Sequence, residues 1–304
     1  MGGNMLRGEL VKTVTSDGIE LQGFWSNKKS DTAVFHSHGT AGDFYTHSFI
    51  DIEGNNLDDK NISFLTANNR GHDVYADHHQ YKKNNVEWTS IGGGFERFED
   101  CLLDLTAWID FLKRQGVKKI ILQSHSLTQK ILYYQSVAKN PYVVGQIHLS
   151  PCNDAGYVLN KVGKEKYQKI NKTVENMIKQ GNGKELLPKE LYVVCPMSAI
   201  AYGGYITEDG PGNLFPYHNP TSPKWKTLQN TKEPLLVIYG GSDAFIQLST
   251  KHKKIDEAAK LFQEHAKSAK NVTVKVIPGA SHSYLGYEIK LTGIIGQWID
   301  TLIK

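Results

Sequence analysis

Only three cysteines, Cys101, Cys152 and Cys195, occur in the 304 residues, far apart and with no Cys-x-x-Cys pair. So sparse a set excludes a disulfide framework, and the three read as reduced packing residues. No apolar stretch approaches the ~20 residues that a membrane-spanning helix needs. The first residues, Met1-Gly2-Gly3-Asn4-Met5-Leu6-Arg7, lack an apolar signal core, and Leu6 stands where a myristoylation signal requires Ser or Thr. The expectation is a soluble, cytoplasmic protein without a membrane partner. A basic block is missing too: the net charge of +4 is spread along Lys-rich segments, so no nucleic-acid partner is expected. His36, His38, His47, His72, His78 and His79 lack the His-Glu-x-x-His or Cys/His spacing of a zinc centre, and no metal is expected.

What the chain does hold is 39% hydrophobic and 22% charged residues, enough for one sizeable core or a core with a smaller cap. Leu10–Thr15 and Ile19–Trp25 read as an opening hairpin across Ser16-Asp17-Gly18, followed by strands at Thr32–Ser37 and Ile62–Ala67. Between Phe95 and Leu112, the residues Phe98, Leu102, Leu105, Ile109 and Leu112 recur in steps of four and three, the mark of an amphipathic helix. Val117, Ile120, Ile121 and Leu122 form a fifth strand, Val143–Leu149 a sixth, Pro234–Tyr239 a seventh and Val272–Ile277 an eighth. A Lys/Ala-rich helix is expected over Lys251–Ala269 and a closing helix over Tyr284–Ile303. This order predicts an α/β fold with a mostly parallel, eight-stranded sheet covered by helices on both faces.

From Pro151 to Thr231 the alternation stops. A polar helical segment at Lys164–Lys179 and an apolar run at Leu191–Met197 precede a stretch rich in glycine and aromatics, Tyr202 to Pro216. Connections this long are usually functional. The expected organisation is a core of residues 1–150 and 232–304, with residues 151–231 inserted after strand six as a helical cap over the site. Tyr202, Tyr205, Phe215 and Tyr217 are candidates to line a pocket; they can equally hold the cap together, because aromatics pack more often than they bind.

Chemistry is concentrated in Lys118–Gln129, where the apolar fifth strand gives way within about two residues to a helical pattern at Leu127, Ile131, Leu132 and Tyr134. So tight a corner pushes the side chain of Ser126 outward, with the first amides of the following helix facing whatever binds there. Ser124, two residues earlier, is the rival nucleophile but still lies in the strand. After strand seven comes Tyr239-Gly240-Gly241-Ser242-Asp243, and after strand eight Pro278-Gly279-Ala280-Ser281-His282-Ser283. A serine hydroxyl needs an imidazole to accept its proton, and the imidazole needs a carboxylate to fix its tautomer. Asp243 is therefore the candidate orienting acid and His282 the candidate base. Taken singly, an Asp after Gly-Gly-Ser is commonly a turn former and a loop histidine is usually solvated. His125 is a candidate substrate contact, or a packing residue beside the nucleophile.

These segments resemble the α/β-hydrolase superfamily, serine esterase type, over nearly the whole chain outside the cap. His36-Ser37-His38-Gly39-Thr40-Ala41-Gly42 is similar to that family's His-Gly oxyanion loop, which implies that the amides of Thr40 and Leu127 form the oxyanion hole. Asn69-Arg70-Gly71-His72 also resembles a family segment, with a structural role. The usual Gly-x-Ser-x-Gly elbow departs here to Ser124-His125-Ser126-Leu127-Thr128. The resemblance implies hydrolysis of a carboxylic ester or lactone through an acyl-enzyme, without a cofactor, on a small-molecule substrate. The large cap suits a bulky ester, and the chain looks like the serine-dependent macrolide esterases, where Glu208 and Asp209 would be available to meet a cationic amino sugar. A thioesterase or acyltransferase would use the same residues, and a ligand receptor of this fold would leave them idle.

Overall fold

The computed structural model describes residues 5–303. Its main sheet contains β1 (Glu9–Val14), β2 (Glu20–Ser26), β3 (Thr32–Ser37), β4 (Ser63–Ala67), β7 (Lys119–His125), β8 (Val143–Leu149), β9 (Leu235–Gly240) and β10 (Val272–Ile277). Their spatial order is β1-β2-β4-β3-β7-β8-β9-β10. β1 and β2 join antiparallel, as do β2 and β4, and every pairing from β4 through β10 is parallel. The eight strands are those expected from the sequence.

Side chains alternate across this sheet with period two, so each strand feeds two cores. Phe35, Leu65, Ile120 and Leu122 face Trp108 and Leu112 of α2 (Cys101–Arg114) and Ile131 of α3 (Gln129–Ala138). Val34, Phe64, Ile121 and Ile238 face Phe49 and Leu57 of α1 (Phe49–Asp59) and Ile295 and Trp298 of α10 (Glu288–Leu302). Helix α2 starts later than the pattern from Phe95 suggests, because Arg97 is extended and residues 98–100 form a single 3-10 turn. Helix α9 (Ile255–His265) is likewise shorter than the Lys/Ala-rich stretch, and α8 (Ala244–Ser249) precedes it.

A helix and a hairpin of the main body are among the elements that were not foreseen. Helix α1 contains Gly54, Asn55, Asn56 and a buried Glu53, a composition with weak helix propensity that packing overrides. The hairpin of β5 (Ala76–Lys82) and β6 (Asn85–Ile91) forms its own two-stranded sheet. Its residues are mostly exposed, so no apolar alternation marks it in the sequence.

Residues 151–231 hold α4 (Asp154–Val162), α5 (Lys164–Lys179), α6 (Ala199–Tyr205) and α7 (Lys226–Asn230). Tyr157, Tyr167, Ile170, Tyr202 and Tyr205 from its first three helices cluster with Phe98 and with Leu127 beside the elbow. Further along, Phe215, Tyr217 and Trp225 pack with Val237, Tyr239 and Phe262 as part of the main body.

A polar layer crosses the α1 side of the sheet. Gln123 Nε2 donates to Glu53 Oε2 at 2.8 Å and lies 3.0 Å from His36 Nδ1. All three residues are buried. Burial pushes the Glu53 carboxyl up to about 8, against the opposing hydrogen bond from Gln123. Because its ordinary value is near 4.5, the unfolded chain ionises first, and the folded state loses stability as pH rises from that value to about 8. Glu53→Gln should therefore raise the unfolding midpoint above that of the wild type at about pH 8 and lose this advantage at about pH 4.5. Urea melts at both pH values would check this; a pH-independent difference would show that Glu53 is ionised in the fold.

Candidate active site

All parallel strands end at one edge of the sheet, and the loops after β3, β7, β9 and β10 gather there. Ser126 follows β7 directly and has φ +65°, the left-handed region that a non-glycine residue occupies at a cost of about 1–3 kcal/mol. The turn is held from both sides. Ser126 N donates to Leu149 O at 2.9 Å, and Ser126 O accepts from Thr128 N at 2.8 Å and Cys152 N at 3.0 Å.

The three candidate triad residues form one hydrogen-bonded chain. His282 Nε2 lies 3.0 Å from Ser126 Oγ, and His282 Nδ1 lies 2.7 Å from Asp243 Oδ2. Asp243 is fully buried, and its other oxygen accepts from the amides of Phe245 at 2.9 Å and Ile246 at 3.1 Å, capping α8. The carboxylate is thus fixed by a helix end on one side and orients the imidazole on the other. Ser126 remains partly accessible to solvent.

The loop after β3 runs close to the elbow. A methyl group at Gly39 would stand 2.7 Å from Ser126 Cβ and 2.8 Å from His125 O, so only glycine fits. His38 shapes this loop: its Nδ1 lies 2.8 Å from Gly39 O, and its Nε2 accepts from Asn69 N at 3.1 Å. Burial lowers His38 to about 3, which keeps the ring neutral and the tautomer single. Asn69 also accepts from Lys130 Nζ at 2.9 Å, and Lys130 forms a fully buried ion pair with Glu96. The oxyanion-type loop, the Asn69 segment and the helix behind the elbow are therefore one connected unit. Among the described residues, no protein acceptor pairs with the amides of Thr40 or Leu127.

The replaced elbow glycines are accommodated differently. Thr128 is buried with its hydroxyl 2.9 Å from His148 Nδ1. Ser124 is buried with its Oγ unpaired, inside the sheet and away from the triad chain.

Several candidate contacts take other places. His125 is 2% exposed, and its Nε2 donates to the carbonyl of His282 at 2.8 Å. It thereby braces the loop that carries His282. Tyr202, Tyr205 and Phe215 are all buried; Tyr205 Oη donates to Gly93 O at 2.8 Å, and Phe215 packs on Phe262 with ring centroids 5.4 Å apart. All three therefore contribute to the protein interior. Glu208 Oε1 pairs with His218 Nε2 at 2.5 Å, so this carboxylate is engaged within the protein.

Three neighbours of the triad escaped the sequence reading because none stands in a motif: Cys152 and His47 lie in loops, and Phe245 in the first turn of α8. Cys152 Sγ lies 3.8 Å from Ser126 Oγ and 4.0 Å from His282 Nε2, and burial pushes its thiol well up. His47 stacks on Phe49 and meets His125 edge-on at 4.5 Å. Phe245 lies over His282 with ring centroids 4.8 Å apart. Among the described residues, no three His, Cys, Asp or Glu side chains are grouped to hold a metal ion, and no helix is long and apolar enough to cross a membrane.

Comparison with solved structures gives the same architecture. An esterase from Pyrococcus furiosus, Pf2001, shares 17% identity at a TM-score of 0.59, with 98% of this chain and 94% of that one covered. Est1E from Butyrivibrio proteoclasticus, solved with ferulic acid bound, shares 16% at 0.65, covering 96% and 99%. The siderophore hydrolase EstB from Aspergillus fumigatus shares 16% at 0.64, covering 100% of both chains. At such identities the likeness establishes the α/β-hydrolase fold, and no curated protein matches the sequence. A match over residues 34–292 takes in the sheet from β3 onward, the elbow and both partner loops, and the chain belongs to the family described as protein of unknown function DUF1749.

Proposed function

We propose that the protein is a serine-dependent carboxylic ester hydrolase. The observation that carries this reading is the unbroken hydrogen-bond chain from Ser126 Oγ through His282 to buried Asp243. The names of the structurally similar proteins, two esterases and a siderophore hydrolase, support hydrolysis as the reaction class.

In the first half-reaction His282 Nε2 takes the Ser126 proton as Oγ bonds to the ester carbonyl carbon, and the carbonyl oxygen becomes an oxyanion. The Thr40 and Leu127 amides, without a protein partner, stabilise that charge. Asp243 steadies the imidazolium. Collapse breaks the bond to the alcohol oxygen, which leaves with the proton from His282. Water then loses a proton to His282, attacks the acyl-enzyme, and releases the carboxylic acid while Oγ regains its proton. Residues 151–231 serve as the cap over this edge, acting mainly through the helices whose side chains cluster at Leu127. With Tyr202, Tyr205 and Phe215 buried, substrate enters beside Phe245, which is 43% exposed next to His282.

A fluorophosphonate probe should label the wild type and leave Ser126→Ala unlabelled, and this substitution should lower turnover of a nitrophenyl butyrate by on the order of 10³ or more. Equal labelling of the two proteins would remove Ser126 from the mechanism. Gly39→Ala forces the loop away from the elbow, and steady-state kinetics should find kcat reduced by about 10²-fold with KM changed much less. Unchanged kcat would dissociate this loop from oxyanion stabilisation.

A further inference from the structure

The triad occupies the edge of the sheet where the parallel strands end. A cavity of about 1070 Å³ opens at the other edge, where β8 begins and the chain enters β9 and β10. Strand β8, from Val143 to Leu149, separates the two edges by about 20 Å at ~3.3 Å per residue. The volume is at the upper end of the ~300–1,000 Å³ that receives a small molecule. Four lysines line this cavity: Lys139 at the end of α3, Lys226 at the start of α7, Lys232 before β9 and Lys270 before β10. They are far apart along the chain, so no basic block marks them in the sequence.

The charge is uncompensated. All four lysines are exposed, and among the described residues none of their ammonium groups has a carboxylate or hydrogen-bond partner. Other lysines do find partners, Lys28 with Asp58, Lys60 with Asp300 and Lys113 with Asp110. Glu233 is the one carboxylate among the described lining residues, and it is tied to the protein: Oε1 accepts from Gln135 Nε2 at 2.6 Å and Oε2 from the amide of Lys232 at 3.3 Å. Four cations against one anion leave +3 at this cavity, where the whole chain carries +4. A cleft lined by one sign of charge between low-dielectric walls focuses its potential and concentrates counter-ions. Apolar groups share the lining, buried Val143 together with Val144, Pro234 and Leu302. The side chains of Thr227 and Asn230 make no hydrogen bond within the protein and add neutral donors. Lysine holds phosphate as a point charge, and the apolar groups beside it suit an organic body carried by the same molecule.

We propose that this cavity binds an organic phosphate, with several phosphate groups held by Lys139, Lys226, Lys232 and Lys270 and the organic body set against Val144, Pro234 and Leu302. The site lies at the edge opposite the triad, and it stands or falls independently of the hydrolase reading.

The test titrates ATP, inorganic triphosphate and adenosine into the whole protein by calorimetry at low salt, where exposed charges are least screened. ATP should bind saturably, one molecule per chain, and more tightly than inorganic triphosphate, which carries at least as much charge but no organic body. Adenosine should give no measurable binding. Combining Lys139→Gln, Lys226→Gln, Lys232→Gln and Lys270→Gln should weaken ATP by about 20-fold or more, since each exposed charge contact contributes about two- to fivefold. Thr227→Asp sets a carboxylate among the ammonium groups in the first turn of α7; it should weaken ATP severalfold while the urea midpoint is unchanged or raised. A control with the same change in net charge combines Lys83→Gln, Lys118→Gln, Lys172→Gln and Lys251→Gln, all exposed and outside the cavity. Its affinity for ATP should stay within about twofold of the wild type, because remote surface charges are screened. Absence of saturable ATP binding, undiminished affinity in the cavity variants, a control weakened as much as they are, or triphosphate bound as tightly as ATP would overturn the proposal.

Discussion

The corner at Ser126 is the constraint on which the rest of the site depends. A strand of the parallel sheet must stop, reverse through a left-handed residue and start a helix, and each flanking feature exists to hold that conformation. Leu149 of the adjacent strand receives the amide of Ser126, Cys152 and Thr128 donate to its carbonyl, and Gly39 leaves room for its Cβ. A strained residue persists only where its surroundings over-determine it, and here two strands, a helix start and a glycine loop do so. The result is a hydroxyl presented at the one edge where the loops after β9 and β10 can also deliver Asp243 and His282.

Around that corner, buried polar groups act as spacers between the elements. Lys130 reaches from the elbow helix to Glu96 and Asn69, Asn69 to His38, and His38 to the carbonyl of Gly39. On the other side, His125 holds the backbone of His282. A neutral imidazole suits these positions because one nitrogen donates while the other accepts, and burial keeps it neutral. His38 and His125 thus reach backbone groups within a dry interior. His282, by contrast, lies between the Asp243 carboxylate and the Ser126 hydroxyl.

The elbow also shows how a motif can depart from its usual form without losing its geometry. Thr128 stands in place of a glycine because His148 meets its hydroxyl, and Ser124 because its small side chain fits inside the sheet. What has to be preserved is the positive φ at Ser126 and the close approach of Gly39, and both are present.

Strand positions were legible in the sequence because parallel strands buried on both faces read as short β-branched runs, and the loops at their ends then fell on one edge by topology alone. Ser126, Asp243 and His282 were nameable for that reason. Helix α1 and the β5–β6 hairpin were not, since the first is stabilised by packing against the sheet despite poor local propensity and the second faces solvent on most of its surface. The sequence equally left the aromatics of residues 151–231 open between pocket and packing. By itself the sequence determined which residues could react, because hydrophobic period and turn chemistry are local. Only the tertiary structure decided which side chains reach the reacting atoms and which are interior packing, because that choice depends on contacts between elements more than a hundred residues apart, such as His125 with His282.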